Sequence, residues 1–381
     1  MLIAARRLRA RAGAALRSAS RAALDARPPA PGLRVCGYLL SEIGIGQSAR
    51  AYALAARAAG IPLSGLDLPL PGRANAREFA DLAAVARPRR TQLFVQGISE
   101  APATAARLRR MPRQIACTPW ELARLAPARA AALDAFDELW APSRFVAEAL
   151  AERARRPVHL VRHPLPLAEA PPPARAGDGV LRIQTFFDTD SYAARKNPQA
   201  AVRAFRAAFA PARRDVALTV KLRGATDAGE RAWLAEAAAQ DGRITVIDRT
   251  LSRAEMDAMA DGSDAFLSLH RSEGFGLGPA EALARAKAVV ATDYSATTDF
   301  VTPDTGYPVP AELAPLAPGD YPDGEGQVWA EPSIEAAAAA LNAIYDDPAE
   351  ARRRGEAGFA LLKANHGFDV VGARMKALLD A

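Results

Sequence analysis

Cysteine is almost missing from this 381-residue chain, which holds only Cys36 and Cys117. Two cysteines without metal-type spacing can build neither a disulfide framework nor a thiolate cluster, so a reducing cytoplasm is the simplest setting. Lysine is scarce too: five of the 49 basic residues are lysine and the rest are arginine. The formal charge of +6 would suit a nucleic-acid partner, but Arg and Ala are abundant throughout the chain. A general compositional bias explains that pattern more simply than a nucleic-acid surface, so no nucleic acid is expected as a partner. Long hydrophobic runs are absent as well, and no stretch approaches the ~18 apolar residues of a membrane-spanning helix. What is there is globular: half of the residues are apolar and a quarter charged, over a length that suits two cores better than one.

The first thirty residues are rich in Arg and Ala and lack the continuous apolar core of a secretory signal. Residues 1–32 read as a basic extension, either a solvated tail or an amphipathic helix suited to an anionic membrane surface at the inner face of the cell membrane. From residue 33 short apolar runs alternate with glycine-marked turns and Ala/Leu-rich helical stretches, the rhythm of α/β layers. Strands are predicted over 33–40, 91–96, 114–118, 138–141 and 158–162, with helices over 46–59 and 143–155 among the connections. The Pro-rich segment HPLPLAEAPPPARAGDG, residues 163–179, breaks the pattern and marks the boundary between two domains, 33–170 and 171–365. A second series of strands follows at 180–187, 216–222, 244–247, 265–269 and 289–292, and a last helix, 366–381, is placed to pack back toward the first domain. Two Rossmann-like, doubly wound parallel sheets facing a cleft are therefore expected, with ligands at the carboxyl ends of the strands.

The segment His270-Arg271-Ser272-Glu273-Gly274-Phe275-Gly276-Leu277-Gly278-Pro279-Ala280-Glu281 follows one of these strands. Three alternating glycines give a turn of unusual freedom, and Pro279 suits the first position of a helix, with Glu281 in its first turn. Amides and a helix dipole aimed into a cleft can hold a diphosphate, while two flanking carboxylates accept hydrogen bonds from sugar or ribose hydroxyls. A second block, ending Ala194-Arg195-Lys196-Asn197-Pro198, places two cations at a helix start after the first strand of the second series.

These residues resemble the family 4 retaining glycosyltransferases of the GT-B fold, whose E-x7-E motif is matched by Glu273 and Glu281. The resemblance covers most of residues 180–365 and, more loosely, 33–165. It implies that Glu273 lies by the donor sugar and Glu281 by the nucleotide ribose, with amides of the Gly274-Phe275-Gly276 turn on sugar and phosphate. It further implies that Arg195 and Lys196 bind the diphosphate, and that Gly44-Ile45-Gly46-Gln47, with Gly46, forms a glycine loop approaching the phosphates from the other side. That loop reads equally as a structural helix entry. The implied donor is a nucleotide-diphosphate sugar, used as a co-substrate with no further cofactor and no metal; the implied acceptor is a cell-surface glycan or a lipid-linked molecule.

The sequence departs from the family in two places. Asp190 stands where many relatives carry Arg, leaving Arg195 or Lys221 to supply the second positive charge. Trp120-Glu121 stands where many relatives carry His near the reacting sugar, so these two are acceptor-side candidates. His270 is read either as a donor contact or as a hydrogen-bonded structural residue, and His163, at the hinge, as a packed residue rather than a catalyst. Asp293, Ser295, Thr297 and Asp299 are expected to shape the pocket floor. The rival readings are a nucleotide-sugar-binding pseudo-transferase and another GT-B enzyme such as an epimerase.

Overall fold

The computed structural model describes residues 27–70, 76–84, 87–224 and 226–381. Most of the basic extension, residues 1–26, lies outside them, and with it the membrane-docking expectation. The first sheet contains β1 (Ala30–Gly37), β2 (Leu63–Asp67), β3 (Arg89–Val95), β4 (Arg113–Cys117), β5 (Glu138–Ala141) and β6 (Val158–Leu160) in the order β2-β1-β3-β4-β5-β6. The second contains β7 (Leu181–Asp188), β8 (Val216–Arg223), β9 (Ile244–Asp248), β10 (Ala265–Ser268), β11 (Ala288–Thr292) and β12 (Tyr307–Val309) in the order β12-β11-β10-β7-β8-β9. Neighbouring strands in both sheets run parallel.

Apolar strand runs bury themselves under helices on each side, as parallel sheets require. Ile183, Leu218, Val220, Leu267 and Val290 of the second sheet share a core with Phe205 and Leu341 from covering helices. Leu33, Val35, Leu93 and Ile115 of the first pack with Tyr52, Met375 and Leu378. The last two belong to the helix Phe368–Asp380, so the end of the chain returns to cover the first sheet. Close approach there depends on Gly372, where a Cβ would lie 2.2 Å from the Ala55 carbonyl oxygen.

Strand order reverses between β1 and β3 in one sheet and between β7 and β10 in the other. Crevices outside the strand ends open at such switch points. The loop after β1 leads to Gly44, the loop after β7 to Arg195 and Lys196, and the loop after β10 to Glu273. Topology alone thus carries the predicted motifs to facing crevices.

The sequence reading does not include the edge strands β2 and β12, nor an antiparallel hairpin formed by β13 (Ala311–Pro315) and β14 (Val328–Pro332). Strand β1 ends at Gly37, earlier than the predicted residue 40, because the chain turns there against helix Gly44–Ala58; a Cβ on Gly37 would sit 2.6 Å from that of Ala49.

Candidate active site

Arg195 and Lys196 ride on a one-turn helix, Ala193–Lys196, bracketed by two left-handed residues, Tyr192 at φ 59° and Asn197 at φ 50°. The bracketing aims both cations at the loop after β10. Arg195, 2 % exposed, donates to the Ser272 carbonyl at 2.9 Å and the Ser191 hydroxyl at 3.1 Å. It pairs with Glu273 Oε2 at 3.0 Å and lies 3.7 Å from Glu121 Oε1, while the Lys196 ammonium hydrogen-bonds Glu273 Oε1. Burial by itself would raise the Glu273 carboxyl, but the adjacent Lys196 and Arg195 charges prevail and hold it at about 2. Burial, followed by the neighbouring Arg195, pushes the Lys196 ammonium down. Arg195 is pushed the other way, since its own desolvation is outweighed by Glu273 and Glu121. The three groups form a largely buried charge cluster whose members depend on one another.

The loop carrying Glu273 is fixed from behind. The Glu273 amide donates to the Ser295 hydroxyl at 2.9 Å. His270 is fully buried; its Nδ1 meets the Ser268 hydroxyl at 3.0 Å and its Nε2 the Thr297 hydroxyl at 3.1 Å. Burial takes its pKa to about 4, leaving the ring neutral, and its hydrogen bonds are those of a structural brace. Gly276 adopts φ 89°, and a Cβ there would lie 2.6 Å from Thr297 Cγ2. Its left-handed backbone caps the following helix, which begins at Leu277. This corrects the sequence expectation: Pro279 is the third helical residue and Glu281 the fifth, beyond the first turn, because Leu277 and Gly278 already take helical angles. Proline is tolerated there, its missing N–H being one of those a helix start leaves unpaired.

The first domain closes on this loop. Ser143 donates to the Gly274 carbonyl at 2.8 Å, and a Cβ on Gly274 would approach the Trp120 carbonyl oxygen at 2.9 Å. The Phe275 ring stacks on His163 at 4.5 Å between centroids, so the hinge histidine packs against the glycine loop. His163 also meets the Ser48 hydroxyl at 2.8 Å, and burial takes its pKa to about 3. Asp299 takes two hydrogen bonds from Arg144 of the first domain, whereas Asp293 is exposed. Gln47 donates to Glu281 at 2.7 Å, and Arg253 reaches the same oxygen at 3.3 Å. Gly46 beside Gln47 is obligatory, since a Cβ would meet the Ser41 carbonyl at 2.4 Å. Glu281 also lines a cavity of about 540 Å³ with Arg253, Arg285, Lys287 and the hinge prolines Pro166 and Pro172.

Trp120 is buried, with its ring N–H donating to the Arg124 carbonyl, so its side chain belongs to the packing and its backbone to the cleft wall. Glu121 turns toward Arg195 and is hydrogen-bonded by the Tyr321 hydroxyl from the β13–β14 loop. Lys221 sits apart from Glu273: burial and the nearby Arg223 lower its pKa to about 8, partly offset by Asp188. Asp190 faces away from the charge cluster and accepts from the Thr226 amide and hydroxyl, each at 3.1 Å. Two participants, Arg223 and Tyr321, escaped the sequence reading, and Gln47 entered it only as part of the glycine loop. Arg223 donates to the Glu42 carbonyl across the cleft at 2.7 Å, Gln47 reaches Glu281, and Tyr321 reaches Glu121. Only Gly44 and Gly46, which precede Gln47, gave any hint of them. Among the described residues, no three His, Cys, Asp or Glu side chains converge as metal ligands would.

Residues 190–317, which hold the cationic turn, the glycine loop and both glutamates, match the family described as Glycosyl transferases group 1. That segment is similar to group 1 glycosyltransferases, and the fold around it is of the GT-B type. The matched segment holds strands β8–β12 of the second sheet and the first strand of the hairpin, and begins just after β7. Sucrose-phosphate synthase from Thermosynechococcus elongatus superposes with a TM-score of 0.64 at 16% identity, over 92% of this chain and 98% of that one. HepE from Anabaena, solved with UDP and glucose, gives 0.62 at 11% identity over 92% and 99%. TarM from S. aureus gives 0.58 at 8% over 76% of this chain, which spans only 55% of the TarM chain. No curated protein matches in sequence. No helix among the described residues is long and apolar enough to cross a membrane.

Proposed function

We propose that this chain is a retaining, metal-independent hexosyltransferase that moves a sugar from a nucleoside-diphosphate donor to a cell-surface glycan or lipid-linked acceptor, at the cytoplasmic face of the membrane. The observation that carries the reading is the Glu273 carboxylate gripped by Arg195 and Lys196 beside a glycine turn, with Glu281 in the helix that follows the turn. Neighbours on this fold bind UDP, and HepE binds UDP-glucose, which supports a uridine-type donor.

In this reading the donor diphosphate takes a share of the Arg195 and Lys196 charge. Arg offers a planar fork and Lys a point charge, and both stabilise the negative charge that grows as the bond from the sugar to phosphate breaks. Glu273 then accepts hydroxyls of the transferred sugar and Glu281 those of the ribose. The acceptor oxygen attacks from the face the diphosphate leaves. Its proton passes to the departing phosphate oxygen, so no closely spaced carboxylate pair is needed, unlike in retaining hydrolysis. Preorganisation of the cations in a largely buried site supplies the rate enhancement.

The test is nucleoside-diphosphate release by the purified protein with UDP-glucose, UDP-galactose, UDP-N-acetylglucosamine and GDP-mannose, followed by NMR of the product's anomeric proton. Release with retained configuration is the expected result. Donor binding without release would mark a nucleotide-sugar-binding pseudo-transferase, and an inverted product would overturn the stereochemical assignment.

A further inference from the structure

We propose that Tyr192 and Tyr321 form the platform on which a neutral sugar ring of the acceptor lies, with Glu121 accepting one of its hydroxyls. The proposal rests on the transferase reading above and narrows its acceptor to carbohydrate. Tyr192 is 44% exposed, and it holds left-handed angles, φ 59° and ψ 85°. A bulky side chain adopts that conformation only at a cost that glycine or asparagine would largely avoid. An exposed aromatic ring kept in a strained turn, three residues before Arg195, calls for a use of the ring itself.

Its neighbour comes from far along the chain. Tyr321 lies in the loop between β13 and β14, and that loop crosses onto the first domain. The rings of Tyr192 and Tyr321 stand 4.8 Å apart, and Tyr321 meets Trp120 edge-on at 5.8 Å. The Tyr321 hydroxyl donates to Glu121 Oε2, while Glu121 Oε1 faces Arg195 at 3.7 Å. The carboxylate side chain keeps 19% of its surface exposed, so an acceptor hydroxyl can still reach it. Tyr321 is thus a positioning residue for Glu121 as well as part of the platform.

A pyranose presents an apolar C–H face and a polar rim, which match an aromatic face beside a carboxylate and a phenol hydroxyl. A phosphate group matches less well: Glu121 and Asp323 are both acidic, Arg129 is already paired with Asp323, and Arg195 beside Glu121 is the cation that the donor diphosphate takes up. The acceptor's phosphate or lipid part, where it has one, must therefore lie away from this platform.

The experiment uses the full chain with methyl glycosides of glucose, galactose, mannose and N-acetylglucosamine as acceptor probes. Nucleoside-diphosphate release is measured with the donor that turns over, alongside saturation-transfer NMR on the same probes without donor. The expected result is stimulation by at least one glycoside and a Tyr192→Ala rise of about tenfold in KM for it, against a donor KM that shifts less than about threefold. Tyr192→Trp should restore acceptor KM, and Tyr321→Phe should raise it while keeping the aromatic face. Stimulation by glycerol phosphate but by no glycoside overturns the proposal, as does an acceptor KM unmoved by Tyr192→Ala. Should no donor turn over, the transferase reading fails by itself. The platform is then decided by saturation transfer, which must reach the glycoside ring protons in the wild type and fall away in Tyr192→Ala.

Discussion

Gln47 Nε2 donates to Glu281 Oε1 at 2.7 Å, and this bond joins the helix that follows β1 to the helix that follows the glycine loop. In the proposed reading Glu281 takes the ribose, so a contact between the domains and a ligand contact fall on one carboxylate. Glu281→Ala should raise donor KM by about ten- to a hundredfold with little change in kcat, the loss of one or two charge-assisted hydrogen bonds. Gln47→Ala should change donor KM by less than about threefold, because the bond it removes is a contact between the domains and not one to the nucleotide. Equal effects of the two variants in donor titrations would show that Gln47, too, binds the nucleotide.

Lys196→Ala should lower kcat/KM by about a hundred- to a thousandfold, as removal of one preorganised charge stabiliser does. Glu273→Gln acts differently, because it strands the buried Arg195 and the partly buried Lys196. A loss of about 3 kcal/mol in urea unfolding at neutral pH is expected along with lost turnover. The Glu273 carboxyl sits at about 2 when folded and near the ordinary carboxylate value when unfolded. Its stabilisation is complete above the unfolded value and is lost as pH falls toward the folded one. Glu273→Gln should therefore flatten the stability curve between about pH 4.5 and 2.

Three buried histidines set a second acid limb. His163 is pushed down to about 3, His270 to about 4 and His366 to about 4, in each case chiefly by burial. Below the ordinary imidazole value of about 6.5 the unfolded chain takes up protons that the folded one refuses. Stability should fall with decreasing pH at about 1.4 kcal/mol per pH unit for each histidine, from about 6.5 downward. Chemical denaturation at pH 7.5, 6.0 and 5.0 reads the slope, and His163→Gln should remove about one third of it. A curve flat through this window would show that the imidazoles are protonated in the folded state.

Gly276→Ala should lower donor affinity and stability together, since a methyl group would press on Thr297 and the backbone would have to leave its left-handed angles. Circular dichroism melts alongside donor titration check this. A loss of affinity with an unchanged melt would place the effect in the ligand contact and not in the cap.

The sequence made one side of the cleft far more legible than the other. Strands such as VALTVKL keep an apolar residue at every second position, and Gly274, Gly276 and Gly278 punctuate their own turn, so the donor side could be read locally. The β13–β14 hairpin could not, because AELAP and VWAEP carry prolines and their connection is dense in Pro, Gly and Asp, which reads as coil. Strand β2, LSGLD, hides in the same way behind its glycine. Tyr321 acquires its meaning only beside Glu121, 200 positions earlier, and no local pattern records such a pairing. Placing Pro279 at the first helical position failed for a related reason: the rule weighs proline's ring but not a preceding Leu-Gly pair free to start the helix.

The chain crosses between the domains twice, and the crossings touch. The Leu165 amide donates to the His366 carbonyl at 2.7 Å, the His366 ring donates to the His163 carbonyl at 2.9 Å, and Leu165 pairs with Gly367 as a parallel bridge. A single linker would let one domain swivel freely against the other; two strands pinned side by side resist torsion. A rotation of one domain against the other about this junction would displace most the contacts that lie farthest from it, with Ser143 to Gly274 and Gln47 to Glu281 among those it would have to break.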